Sequence, residues 1–278
     1  MFEPLPEPLL PLQKPAASAA PRIVSLVPSV TELLCALGLA PLIVGRTGFC
    51  IHPAQGVAGI PKVGGTKDVN LVKIRNLGAT HVVVNVDENE LPTVQRLREM
   101  GLKVVVTHPQ SPHDNLALID QLATEFIATN DRFALATGLK DQISSALKAL
   151  EPLATAQAPT KVLYLIWREP WMTVARDTYI SRMLGLIGWQ TWPDVQGGER
   201  GAARYPVVDT AELADSGVQR ILLSSEPYRF DASHRAEAQK LVPGAQVQLV
   251  DGEALSWYGS RCLEGFALLQ RLAKGRAD

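Results

Sequence analysis

The stretch Arg22-Ile-Val-Ser-Leu-Val27, followed directly by Pro28-Ser-Val-Thr-Glu-Leu-Leu34, decides the fold of this chain. A short apolar run predicts a buried strand, and the run after it has the apolar spacing of a helix. Ser29 and Glu32 have the spacing of a capping box, so Ser29 is predicted to cap this helix. The chain therefore begins its folded part with a strand–helix unit.

The same alternation recurs along the rest of the sequence. Further strands are predicted at 42–44, 81–86, 103–106, 161–166, 220–224 and 246–250. Helical patterns separate them, and strands that alternate with helices form parallel sheets covered on both faces. One pattern, near 130–152, predicts a helix roughly 30 Å long, which suits a connection between two lobes.

The predicted fold class is therefore α/β, with two α/β lobes of mainly parallel sheets joined by one long helix and a ligand cleft between the lobes. The predicted domains are a flexible Pro-rich arm at 1–21, an N-terminal lobe at 22–126, a connecting helix at 127–158 and a C-terminal lobe at 159–278.

Bulk composition excludes several classes of function. The net charge is −1, so no overall field favours nucleic acid or an anionic membrane. The chain has no run of about 18 apolar residues, and residues 1–21 lack the basic start and apolar stretch of a secretory signal. As written, the sequence predicts a cytoplasmic location. No nucleophile elbow, zinc-protease motif or phosphate loop occurs, so no enzyme is predicted.

All five Trp and all five Tyr lie after residue 160, and several follow the apolar runs directly. Loops at the carboxyl ends of parallel strands are where open α/β sheets bind ligands. We therefore expect these loops to form the binding site of a large ligand, and we expect that ligand to be partly apolar and partly polar. Its predicted residues are Trp167, Arg168, Trp171, Glu226, Tyr228, Trp257, Tyr258 and Arg261. Arg168 and Arg261 either meet polar groups of the ligand or pair with Glu169, Glu226 or Glu253.

The loop Phe49-Cys-Ile-His52 is a second candidate for ligand contact. Strand alternation would project Cys50 and His52 to one side, and both are good ligands for soft or borderline metals such as cobalt and iron. Two such ligands do not complete a tetrahedral zinc site. The alternative is that Cys50 packs inward and His52 is hydrogen-bonded nearby.

Two polar positions in the first half have a structural and a functional interpretation each. Lys67 follows Gly64-Gly65, where exposed backbone N–H groups would hold a phosphate or carboxylate, or the lysine is merely solvated. Asn89, in Asp87-Glu-Asn-Glu90, either contacts amide groups of a ligand or belongs to an acidic cap of the next helix.

The chain resembles the helical-backbone (class III) periplasmic substrate-binding proteins of the vitamin B12 and ferric-siderophore type. In the second half, Trp167-Arg-Glu-Pro170 and Ser224-Ser-Glu-Pro-Tyr228 look like a cobalamin-binding-like branch. The residues that carry the resemblance in the first half are 22–34, Gly38-Leu39, Val44-Gly45, Asn70-Leu71, His81–Val84 and Gly101–Val104.

This resemblance implies a monomeric, non-enzymatic component of an ABC-type uptake system, located in the periplasm. It implies no intrinsic cofactor and a metal-containing macrocycle as ligand, either a corrinoid such as cobalamin or a heme or ferric chelate, with His52 able to ligate cobalt. It also implies docking to a permease through one surface Glu in each lobe. Val72 occupies the first of these positions, and Glu212 can serve as the second.

The alternative is a cytoplasmic corrinoid- or metal-handling enzyme or chaperone on the same scaffold, with Cys50 and His52 as functional ligands. A regulatory binding module that meets no permease is a third hypothesis.

Overall fold

The computed structural model of the chain describes residues 20–155 and 158–275, so the predicted arm lies almost entirely outside the described residues. The chain forms two compact units. The first unit holds the described residues up to His108 together with Phe126–Arg132. The second unit holds Pro109–Glu125 and the described residues from Phe133 onward. The lobe boundaries given above stay a prediction.

Each unit is built on one four-stranded sheet whose neighbouring strands are all parallel. The strands are Ile23–Ser25 (β1), Ile43–Arg46 (β2), His81–Asn85 (β3), Lys103–Thr107 (β4), Thr160–Leu165 (β5), Trp189–Thr191 (β6), Arg220–Ser224 (β7) and Gln246–Val250 (β8). The strand orders are β2-β1-β3-β4 and β6-β5-β7-β8, so both units have the same topology. This confirms the predicted α/β class with parallel sheets.

Helices connect successive strands in both units. They are Pro28–Ala36 (α1), Ala54–Val57 (α2), Leu71–Asn76 (α3), Leu91–Glu99 (α4), Asp114–Phe126 (α5), Asn130–Thr155 (α6), Tyr179–Gly185 (α7), Thr210–Leu213 (α8), Arg235–Leu241 (α9), Gly252–Ser256 (α10) and Cys262–Ala273 (α11). The long predicted helix is α6, with 26 residues. Within the residues that the structure describes, no helix combines the length and the apolar character needed to span a membrane.

The strands are apolar because helices cover the sheets. In β3, Val82, Val83 and Val84 are at most 1% exposed although successive side chains point to opposite faces. In the second unit, Leu163 and Leu223 pack in one cluster with Phe230. These cores hold the strand ends, and therefore the loops that follow them, in fixed positions.

Two predicted helix caps are wrong. The α1 N-cap is Val27 and has no side-chain cap, whereas Ser29 lies inside the first turn, buried, with no hydrogen-bond partner for Oγ. The α4 N-cap is Glu90, again without a side-chain hydrogen bond. The acidic run before α4 therefore does not cap it through a side chain. By contrast, Asn70 caps α3 by accepting a hydrogen bond from Lys73 N at 2.9 Å.

Candidate functional site

In the second sheet, the side on which successive strands are added reverses between β5 and β7. The strand β6 lies on one side of β5, whereas β7 and β8 lie on the other. In open parallel sheets, the loops at such a point splay apart beyond the carboxyl ends of the strands and leave a place for ligand. Here the loops after β5 and β7 meet: Tyr228 N donates to Ile166 O at 3.2 Å. The Trp167 ring meets Tyr228 edge to face, with centroids 5.7 Å apart.

An aromatic cluster formed by Trp167, Trp171, Tyr228, Phe230 and His234 occupies this position. Trp171 stacks on Phe230 with centroids 5.9 Å apart and an interplanar angle of 9°, and Phe230 lies 4.7 Å from Tyr228. Trp171 and Tyr228 are half-buried against the core, whereas Trp167 is 42% exposed. Trp167 is therefore the ring of this cluster with the most surface to offer a ligand.

Arg168 pairs within the protein, which was one of the two interpretations of its sequence position. Its guanidinium lies 3.0 Å from a Glu237 oxygen and 3.2 Å from a Glu169 oxygen. A hydrogen bond with Tyr228 raises the pKa of Arg168, and the two glutamates add to the rise. The Tyr228 hydroxyl also shares a hydrogen bond of 3.1 Å with His234 Nε2. Arg168 thus anchors the Tyr228 ring.

Glu226 lies half-buried in the loop after β7 and is held by residues from the loop after β8. Its Oε1 accepts hydrogen bonds from the Ser256 hydroxyl at 2.6 Å and from Trp257 Nε1 at 3.0 Å. Burial raises the pKa of the Glu226 carboxyl, Glu253 and Asp251 add to the rise, and the Ser256 and Trp257 hydrogen bonds oppose it. The structure therefore joins two of the three predicted loops through one carboxylate.

Two further predicted residues of this unit, Arg261 and Tyr258, make their contacts within the protein. Arg261 lies over the Trp257 ring at 5.1 Å and 3.2 Å from a Glu264 oxygen, so it also pairs within the protein. Tyr258 is only 8% exposed and packs edge-on against Tyr179. Its ring therefore supports the loop from inside the protein and offers little surface to a ligand.

Asn115, on α5, was missed by sequence reasoning. Its Oδ1 accepts from Gly259 N at 2.6 Å and its Nδ2 donates to Tyr179 Oη at 2.9 Å. These contacts fix the end of the loop after β8 across 144 residues of sequence. No local signal marks such a contact. Phe230 was also missed, although its spacing of two residues from Tyr228 would have placed both rings on one side.

In the first unit, Cys50 points into the protein. It is 0% exposed, with the hydroxyls of Thr31 and Thr47 each 3.0 Å from its sulfur. Burial raises the pKa of the Cys50 thiol, which disfavours the thiolate that binds metals. This placement favours the packing interpretation of Cys50. His52 is half-buried, and Phe49 is 63% exposed on the same loop.

Asn89 braces the carboxyl edge of the first sheet. Its Oδ1 accepts from Asn85 N at 2.8 Å, and its Nδ2 donates to Thr66 O at 2.8 Å and to Leu26 O at 3.4 Å. The side chain is 7% exposed, so its hydrogen bonds serve the loops themselves. Lys67, next to the Thr66 carbonyl that Asn89 binds, is exposed.

The described part of the chain contains no group of three or more His, Cys, Asp or Glu residues placed to hold a metal ion. The predicted pair Cys50 and His52 is thus not completed by a third ligand among these residues.

Comparison with known proteins gives a consistent set of relatives. No protein-family model matches the chain. It is 24% identical over 190 residues to the vitamin B12-binding protein of Pectobacterium atrosepticum, covering 65% of this chain and 68% of that protein. The vitamin B12-binding protein of Vibrio vulnificus is 23% identical over 218 residues, which cover 78% of this chain and 76% of that protein.

Two solved structures show that the fold is shared over almost the whole chain. The periplasmic vitamin B12 binding protein of Vibrio cholerae superposes with a TM-score of 0.76 at 19% identity, covering 92% of this chain and 98% of that one. The periplasmic heme binding protein of Vibrio cholerae gives a TM-score of 0.72 at 23% identity, covering 91% and 98%. These relatives are named as binding proteins, in agreement with the prediction that the chain is not an enzyme.

Proposed function

We propose that the chain is a helical-backbone substrate-binding protein of the vitamin B12 and ferric-siderophore type and that it serves as the ligand-binding component of an ABC-type uptake system, a role supported by the relatives to which it is similar. The proposed ligand is a metal-containing macrocycle, in the first place a corrinoid such as cobalamin. The relatives named for vitamin B12 and for heme support this class of ligand.

The single observation that carries the proposal is the exposed ring of Trp167 in the aromatic cluster. Trp167 is 42% exposed, so its ring offers apolar surface to a ligand, and it is held in place by Tyr228 and by the loop contact to Ile166. Stacking a flat macrocycle on it buries apolar area worth about 25 cal/mol per Å². Because the loops are already ordered, binding costs little conformational entropy.

Two exposed residues of the first unit are proposed as further ligand contacts. Phe49 is 63% exposed at the carboxyl end of β2, and Lys67 is exposed in the loop before α3. An ammonium group there suits the phosphate in the nucleotide loop of cobalamin. No intrinsic cofactor is proposed.

The proposed partner is a membrane permease, and the proposed location is the periplasm. Glu212 is exposed on α8, as permease docking requires. On α3, Val72 is 54% exposed where the resemblance implies a Glu. An apolar side chain does not pair with an arginine, so docking is proposed to depend on the second unit. A monomer is the proposed state.

The position of Cys50 disfavours the alternative of a metal-handling enzyme or chaperone. That alternative needs the Cys50 sulfur to reach a ligand, and that sulfur is fully buried beside two threonine hydroxyls.

Equilibrium dialysis of the purified protein tests the proposal. Cyanocobalamin, dicyanocobinamide, hemin and a ferric siderophore would each be dialysed against the protein, with bovine serum albumin as the control for adsorption. We expect saturable one-to-one binding of the corrinoids with a Kd in the micromolar range or below. Failure of all four ligands to bind at about 100 μM would contradict the proposed function.

A further inference from the structure

We propose that Glu226 selects ligands that present hydrogen-bond donors, such as the amide side chains of a corrin, over ligands that present carboxylates. The inference rests on the proposed function and names the ligand chemistry that the site recognises. It concerns a single oxygen atom, Glu226 Oε2.

The two carboxylate oxygens of Glu226 differ in how many hydrogen bonds they accept within the protein. The Ser256 hydroxyl and Trp257 Nε1 both donate to Oε1. Among the described residues, none donates a hydrogen bond to Oε2. A carboxylate accepts at both oxygens, so Oε2 of this half-buried residue is open to a donor from a ligand.

The carboxylate does not move freely, since its surroundings hold it at several points. The Ser224 hydroxyl donates to Glu226 O at 2.7 Å, which fixes the backbone of the loop. The Trp257 ring that donates to Oε1 is itself covered by Arg261 at 5.1 Å. A ligand therefore meets Oε2 in a defined position.

The charges around Oε2 act against anionic ligands. Burial is the largest cause of the raised pKa of Glu226, and the negative charges of Glu253 and Asp251, from the segment after β8, add to the rise. The arginines nearby are occupied by glutamates: Arg168 by Glu237 at 3.0 Å, and Arg261 by Glu264 at 3.2 Å and by Glu253 at 3.6 Å. Arg229 is exposed between Tyr228 and Phe230, whose rings pack towards the core. A ligand carboxylate at Oε2 would meet repulsion, whereas an amide N–H would gain a charge-assisted hydrogen bond.

The substitution Glu226→Gln reverses this preference by geometry. An indole N–H can only donate, so the glutamine carbonyl must take the place of Oε1 to satisfy Trp257. The glutamine NH2 group then stands where Oε2 stood. One isosteric change thus converts an acceptor into a donor: a ligand carboxylate gains a hydrogen bond in place of repulsion, while a ligand amide exchanges a charge-assisted bond from its N–H for a neutral one to its C=O.

The experiment uses two ligands that share the corrin ring. Dicyanocobinamide carries amide side chains, and dicyanocobyrinic acid carries carboxylates in their place. Equilibrium dialysis at about pH 8, where carboxyl groups are ionised, gives the ratio of the two Kd values. We expect the wild type to prefer the amide ligand, and Glu226→Gln to shift the ratio towards the carboxylate ligand by about tenfold or more. A ratio that changes less than about twofold overturns the inference.

Two further variants test whether the shift comes from the position of the Glu226 side chain, from the loss of a negative charge or from a change in packing. Glu169→Gln removes the same charge from the neighbouring loop, but the Glu169 side chain is 79% exposed, so we expect no shift of the ratio. An equal shift in this control would overturn the inference. Glu226→Ala is expected to lose the preference without reversing it, and a retained preference would also count against the inference.

The outcome separates the inference from the proposed function. Should the wild type bind neither corrinoid, the proposed function fails. Should it bind cobinamide while Glu226→Gln leaves the ratio unchanged, only the role of Glu226 fails. Thermal melting of each variant shows that the folded protein is being compared.

Discussion

Replacing Trp167 with alanine is expected to weaken corrinoid binding by about 30- to 100-fold and to leave the melting temperature within about 2 °C of the wild type. Trp167 is 42% exposed, and its ring contact is an edge-to-face packing against Tyr228. Its removal exposes little core. The lost stacking area, by contrast, would be a central part of the ligand interface. Equilibrium dialysis and thermal melting measure the two effects on the same preparation.

The matched control is Phe133→Ala, since Phe133 is 58% exposed on α6 and is not among the predicted ligand contacts. We expect it to leave the Kd within about twofold of wild type. If the two alanine variants bind equally well, the aromatic cluster is not the ligand surface. Trp171→Ala would not serve as a control because Trp171 packs against the core.

Replacing Gly252 with alanine is expected to lower the free energy of unfolding by about 1–3 kcal/mol and the melting temperature by several degrees. A Cβ at this position would lie 2.4 Å from Ser224 Oγ, 2.7 Å from Glu226 Cγ and 2.9 Å from Glu226 N. Two of these atoms belong to the loop that carries Glu226, so the loop must shift. Ligand affinity should therefore fall together with stability.

Gly244→Ala is the control for this substitution, because a Cβ there meets no atom within 4 Å. We expect a change in unfolding free energy within about 0.5 kcal/mol. Urea unfolding of both variants, followed by tryptophan fluorescence, gives the comparison. An equal, small effect at both glycines would show that the loops after β7 and β8 are not packed as closely as the structure has them.

The framework of the fold could be predicted from the sequence because apolar runs buried on both faces are distinctive. The runs at 81–86 and 220–224 led directly to β3 and β7. The edge strand β6 was missed because three residues carry too little pattern, and a short strand depends on its neighbour β5 for its hydrogen bonds. Helix caps were less predictable: the spacing around Ser29 suggests one, but that residue lies inside the helix.

The position of the candidate site was predictable, whereas its internal pairing was not. Rings that follow strand ends in sequence were expected to meet at one edge, and Trp167 and Tyr228 do so. The pairing of Arg168 with its neighbour Glu169 was expected, but its closer partner is Glu237, which lies 69 residues away and which no sequence pattern indicates. Likewise, alternation allowed Cys50 to point either way, and only the two threonine hydroxyls around its sulfur show that it points inward.

Hydrogen exchange of the wild type with and without bound cyanocobalamin locates the ligand without any substitution. We expect slower exchange in the peptides that cover 166–171, 225–230 and 251–258, the three loops at the carboxyl edge of the second sheet. The amino ends of β5 and β7 should exchange unchanged. Protection confined to that opposite edge, or absent from all three loops while the vitamin is bound, would contradict the proposal that these loops bind the ligand.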